Sequence, residues 1–269
     1  MATSSSLDSA PINPEVWNFF HAIKENPDDD TPRLIFADWL QERGNAADAA
    51  RGEFLRLNVL RHRLSPDDPT YDLLKRREAE LFTEHRWTWL GPLVDAAKSW
   101  TFERGMIQIT AQAEKLLTPE MRAWARTPAA LWVDALALSE LVSVNRSELA
   151  RSPLLAAINF LDLSANHDEQ TIGILNLAVR AESLRFLTSL CLTRCRLGPI
   201  HVISLAGYIE LPRLKILDLR HNQLYDAAAR LLAESPNLKN LAELRLGHNR
   251  FTAEGMALLR QAFGDRVHF

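Results

Sequence analysis

One repeated pattern constrains this chain more than any other feature. Leu217-Asp218-Leu219-Arg220-His221-Asn222-Gln223-Leu224 is followed by Leu244-Arg245-Leu246-Gly247-His248-Asn249-Arg250-Phe251. Both read L-x-L-x-x-N-x-L with an apolar last position, and their asparagines are 27 residues apart. Another 27 residues back, Cys195 holds the same place in Leu190-Cys191-Leu192-Thr193-Arg194-Cys195; 29 further back, Asn166 closes Leu161-Asp162-Leu163-Ser164-Ala165-Asn166. A period of 20–50 residues signals a stack of identical supersecondary units that bury their apolar faces only against neighbours. The leucines at the first and third positions of each unit share one strand face and point inward, and the residue between them points outward. The Asn or Cys then turns the chain and bonds neighbouring backbone.

Between these strands the spacing becomes helical. Asp226–Glu234 and Ala253–Phe263 carry alanines and leucines at helical intervals, with Pro199, Pro212 and Pro236 in the flanking loops. Strand plus helix in 27–29 residues resembles the ribonuclease-inhibitor type of leucine-rich repeat. That resemblance implies an α/β solenoid, a short horseshoe with a parallel concave sheet and convex helices. The register extends back to Leu136-Ala137-Leu138 and to Met106-Ile107-Gln108-Ile109, which is expected as the first strand. Arg266-Val267-His268-Phe269 is expected to start a last edge strand. Degenerate ends of this kind cap the open core of a repeat stack.

Residues 13–98 lack the period and read as a small all-α domain ahead of a solenoid over residues 99–269, after a disordered leader over 1–12. Asn13-Pro14 is an N-cap followed by a first-turn proline, and Pro27 ends that helix. A second helix starts at Asp30 or Thr31 before Pro32 and runs through Leu34, Ile35, Trp39 and Leu40 to Gly44, a helix stop. Helical spacing returns at Phe54, Leu55, Leu57, Val59 and Leu60, and from Tyr71 through Leu81 and Phe82. The run Pro27-Asp28-Asp29-Asp30-Thr31-Pro32-Arg33-Leu34-Ile35-Phe36-Ala37-Asp38-Trp39-Leu40-Gln41-Glu42-Arg43-Gly44, with Arg51-Gly52-Glu53-Phe54-Leu55-Arg56-Leu57, resembles the repeat-companion domain known mainly from planctomycete bacteria. Proteins with that domain often carry leucine-rich repeats after it. The resemblance implies this architecture and a family without a settled biochemical activity.

The 31 Lys+Arg against 34 Asp+Glu leave a formal net charge of −3, which argues against a general nucleic-acid or membrane-surface binder. No apolar run reaches the length of a membrane span, and the opening MATSSSLDSA has no signal-peptide character, so a cytoplasmic protein is expected. The glycines form no P-loop, G-x-G-x-x-G or G-x-S-x-G, so no catalytic residue, cofactor or metal is expected and the chain reads as a non-enzyme. Asp28, Asp29, Asp30, Asp38 and Glu42 suit helix capping and pairing with Arg33, Arg43, Arg51 and Arg56. The competing reading makes them the metal site of a regulator or metal-dependent enzyme. Cys191 and Cys195 point differently in the repeat register and do not share a metal.

Outward positions of the strands and their turns supply the expected working surface: Asp162 and Ser164, then Cys191, Thr193 and Arg194, then Asp218, Arg220 and His221, and finally Glu243, Arg245 and His248. An array of arginine forks among hydroxyls and carboxylates suits a protein partner, with an acidic segment as the expected complement. Nucleic-acid binding along Arg194, Arg220 and Arg245 is the lesser alternative. Internal Asp–Arg pairs, such as Asp218 with Arg245, are the structural explanation of the same pattern.

Overall fold

The repeat period becomes an eight-stranded sheet. In the computed structural model, which describes residues 13–43, 45–166, 171–173, 175–176, 183–207 and 211–269, the strands lie in chain order: β1 (Ala97–Glu103), β2 (Met106–Gln112), β3 (Val133–Ser139), β4 (Phe160–Asp162), β5 (Ser189–Cys191), β6 (Ile216–Asp218), β7 (Glu243–Arg245) and β8 (Val267–His268). The leader expected over residues 1–12 and the helix stop expected at Gly44 lie outside the described residues. From β2 onward all neighbours pair parallel. Only Arg104 and Gly105 join β1 to β2, a connection too short for a parallel crossover, so that pair is antiparallel. The sheet therefore starts one strand earlier than Met106. The β1 segment reads poorly as a repeat because only its pairing with β2 makes it a strand.

The chain forms two compact units. One comprises residues up to Val94 with Phe102–Met106 and Pro119–Trp132; the other comprises Asp95–Thr101, Ile107–Thr118 and Val133–Phe269.

In the second unit Leu161, Leu190, Leu217 and Leu244 stand in one register row, each fully buried. Burying one such side chain contributes roughly 1.5–3 kcal/mol, so the row is a major source of cohesion. Below it the helices Pro199–Gly207, Asp226–Glu234 and Ala253–Phe263 bury Val202 and Leu205, Ala228, Ala229 and Leu232, and Leu259 and Phe263. Pro199 and Pro236 open a helix and a 3-10 turn rather than lying in loops, as suits a residue without an N–H to satisfy.

The asparagines hold the turns as expected. Asn222 Nδ2 donates to Leu192 O at 2.8 Å and Leu219 O at 2.9 Å, and its Oδ1 accepts from the N–H groups of Cys195 and Leu197, both at 3.0 Å. Asn166, two units before, and Asn249, one unit after, bond neighbouring backbone in the same way. Cys195 takes over the donor role with a longer Sγ contact to Leu163 O, 3.2 Å. Burial pushes its thiol up to about 11.

The first unit is helical: α1 (Pro14–Glu25), α2 (Thr31–Arg43), α3 (Ala46–His62) and α4 (Tyr71–Leu90). Asn13 caps α1 through Glu15 N at 2.9 Å, and Asp29 accepts from Thr31 N at 2.9 Å to start α2. Those bonds hold the Asp29 carboxyl below its usual range. On α2 the buried residues are Arg33, Phe36, Ala37 and Leu40, while Ile35 is 54% exposed, so the apolar stripe lies one position from where Ile35 suggests. On α3 the stripe is Arg51, Phe54, Leu55, Asn58 and Val59, and Leu60 faces outward. Phe36 stacks on Phe19 at 4.8 Å and on Trp132 at 5.4 Å between ring centroids. Among the acidic residues, Asp38 pairs with Arg56, and Asp30 pairs with Arg63 at 2.8 Å and Arg104 at 3.2 Å. Arg33 donates to Asp29 O at 2.9 Å. Among the described residues Arg51 bonds to no carboxylate; it is enclosed by aromatic rings, because its place on α3 points into the core.

Candidate interaction face on the parallel sheet

The register places Asp162, Cys191, Asp218, Arg245 and His268 in one outward row across β4 to β8. Beyond it lie Ser164, Thr193 and Arg220, then Ala165, Arg194, His221 and His248. These last four residues all have φ between 56° and 59°. A non-glycine residue in this left-handed region is uncommon, and it arises here because the ladder Asn or Cys must turn back under the strand. Arg194, His221 and His248 are consequently lifted outward and exposed.

The row is more internally paired than an open array. Asp218 is only 3% exposed. Arg220 grips it with Nε to Oδ1 at 3.0 Å and Nη2 to Oδ2 at 2.6 Å, and Arg245 Nη1 lies 3.7 Å from the same Oδ2. Arg245 itself forks onto Glu243 at 2.7 and 2.8 Å, holding that carboxyl below its usual range. His268 lies 3.8 Å from Glu243 and extends the network. The expected Asp218–Arg245 pair is present, but Arg220 is the closer partner. Of the three arginines, Arg194 alone has no hydrogen-bond or ion-pair partner for its guanidinium among the described residues.

A smaller hydroxyl network lies beside it. Ser164 N donates to Asp162 Oδ1 at 2.8 Å, Thr193 Oγ1 donates to Ser164 Oγ at 2.9 Å, and Ser164 Oγ lies 3.1 Å from Cys191 Sγ. Burial raises the Cys191 thiol, and the nearby Asp162 and Asp218 charges push it the same way. It therefore stays protonated at neutral pH, the inactive form of a sulfur nucleophile. Among the described residues no group of three or more His, Cys, Asp or Glu side chains lies close enough to hold a metal ion, and no helix is long and apolar enough to cross a membrane.

His221 and His248 stack with ring centroids 4.1 Å apart and planes 7° from parallel. Desolvation, then His248, Arg194 and Arg220, lower the basicity of His221. Its folded pKa thus lies below the unfolded value of about 6.5. Between those two values the unfolded chain binds more protons, so stability rises with pH and this contribution is lost as pH falls through the window. Urea midpoints at pH 7.5 and pH 5 are expected to fall further on acidification for the wild type than for His221→Asn. Equal losses would contradict this account.

All eleven residues expected on the working surface lie on this one face or its turn row. Asp218 is the exception in character, since it braces its neighbours rather than being offered to solvent. Sequence reasoning missed His268, although the expected edge strand already implied it: register alone puts it beside Arg245. No protein-family model matches the chain, and no curated protein matches its sequence.

Proposed function

We propose that the chain is a non-enzymatic interaction module. Its repeats are of the leucine-rich type, the helical unit ahead of them is repeat-companion-like, and the outward face of the sheet binds a protein partner carrying an acidic segment. The observation that carries this reading is Arg194: exposed, raised on a left-handed backbone and without a carboxylate partner among the described residues, beside Thr193 and the stacked His221–His248 pair. An acidic side chain from a partner would complete it, as Asp218 completes Arg220. A sheet braced on every strand loses little conformational entropy on binding, which favours recognition by a fixed surface. The acidic start of α2 gives the metal-enzyme reading no support, because Asp29, Asp30 and Asp38 already hold protein donors.

The internal pairing dictates the test. Reversing Arg220 or Arg245 would strip a buried carboxylate of its cation and damage the fold, so the informative variant is Arg194→Glu with His248→Glu. Affinity capture from lysate with the wild-type chain is expected to retain a partner that this double variant loses by at least about tenfold, roughly 1.4 kcal/mol. Equal capture by both would sink the assignment to this face. A bound nucleic acid whose retention falls steeply with salt would replace the protein partner.

A further inference from the structure

Arg51 occupies a position on the buried stripe of α3 where a helix ordinarily carries an apolar side chain. It is 4% exposed. Its guanidinium carbon lies 4.0 Å from the ring centroid of Trp132, 4.6 Å from Trp89 and 5.3 Å from Phe102. Nη2 donates to Gly105 O at 3.2 Å, while Nε and Nη1 have no hydrogen-bond partner among the described residues. No carboxylate pairs with it among the described residues. Burial lowers its pKa to about 9, so it is still a cation at neutral pH. The rings compensate part of the charge through their π faces, yet they offer no oxygen to the two free nitrogens. A buried cation is ordinarily matched by an anion; here the described residues supply none.

Arg51 is also one of the residues lining a cavity of about 360 Å³ within the helical unit. Its walls are mainly Phe20, Phe36, Trp39, Trp89 and Trp132, with Thr88 and Asp48 among the exposed lining residues. The volume falls in the range of about 300–1,000 Å³ typical of small-molecule sites, which combine apolar walls with a few polar groups. Flat rings select a flat apolar body. One cation selects one negative charge, and the Asp48 carboxylate disfavours a multiply charged anion.

We propose that this cavity binds a small planar organic monocarboxylate, its carboxylate accepting from Arg51 and its body against the aromatic walls. The site is independent of the sheet face, so either assignment can fail alone.

Benzoate, its neutral analogue benzamide and inorganic phosphate are suitable probes, titrated into the full chain by calorimetry and saturation-transfer NMR. Benzoate is expected to bind with a Kd of about 1 mM or lower, as its size allows, and benzamide at least about tenfold more weakly, since it lacks the charge that strengthens the hydrogen bond. Arg51→Met, which replaces a buried charge by an apolar chain of similar length, is expected to fold and to lose benzoate binding. Thr88→Trp, made at an exposed lining position, is expected to block the cavity with Arg51 in place. Should Arg51→Met fail to fold, the Thr88→Trp variant and the wild-type benzoate-to-benzamide ratio decide the matter. No benzoate binding up to about 10 mM, equal binding of benzoate and benzamide, or undiminished binding in Thr88→Trp would overturn the proposal. Phosphate binding more tightly than benzoate would overturn the carboxylate assignment.

Discussion

Replacing Asn222 with alanine is expected to destabilise the sheet unit by about 3–4 kcal/mol, the largest effect of any polar substitution proposed here. The side chain is 6% exposed and bonds five backbone groups: the carbonyls of Leu192, Leu219 and Arg220 and the N–H groups of Cys195 and Leu197. Leu219 O and Arg220 O keep a second donor in Asn249 and Arg194 N, so three groups lose this partner with no other hydrogen bond among the described residues to replace it. Each buried group left without a partner costs about 1–3 kcal/mol, and partial hydration of the emptied site keeps the sum toward the lower end. Asn249→Ala should cost roughly half as much, because that side chain is partly exposed and fewer backbone groups depend on it. Urea unfolding followed by far-UV circular dichroism would measure both. Equal, small losses for the two variants would show that the ladder bonds contribute little to cohesion.

The second large effect concerns a glycine inside a helix. Gly52 lies on α3 against α2, and a methyl group added there would meet Ala37 O at 2.6 Å, with Gln41 Cγ and Leu40 Cβ at 3.1 Å. Alanine is the better helix former by about 1 kcal/mol. The carbonyl belongs to a helix backbone and cannot rotate away, so α2 and α3 must separate along their packed length. Overpacking of this kind costs about 1–3 kcal/mol, and separation also loosens the shared core around Phe36 and Leu55. Gly52→Ala is expected to lose about 2 kcal/mol net, against its propensity. Tryptophan fluorescence reports on this unit selectively, since Trp17, Trp39, Trp87, Trp89, Trp124 and Trp132 all belong to it. Unchanged or raised stability would refute the close-packing account.

These two residues show where sequence reading succeeds. Asn222 was legible because a ladder asparagine acts through bonds to strands one period away, and the period is visible in the leucines around it. The helix bounds Asp226–Glu234 and Ala253–Phe263 were legible for the same local reason. Gly52 was visible only as part of a motif, and nothing along the chain says that its hydrogen faces a carbonyl on α2. The outward face was readable from strand alternation, which placed Arg194, Arg220 and Arg245 on one side of the sheet. Arg220 and Arg245 are committed to Asp218 and Glu243, each two residues earlier on the same face of its own strand, whereas Arg194 stands in the turn row with His221, and how each fork closes on its carboxylate depends on side-chain directions that strand alternation does not give.

What the sequence determined by itself is the periodic part: which residues form strands, which leucines face inward and where each turn falls. Alternation and a fixed repeat length are local properties, and stacking identical units admits one register that buries every leucine. Tertiary structure alone decided the rest. It buried Asp218 beneath two arginines and closed Trp89, Phe102 and Trp132 around Arg51. Those arrangements unite residues up to 81 positions apart, as for Arg51 and Trp132. The charge of an arginine is written in the sequence, but whether it meets water, a carboxylate or an aromatic wall depends on what the fold brings beside it.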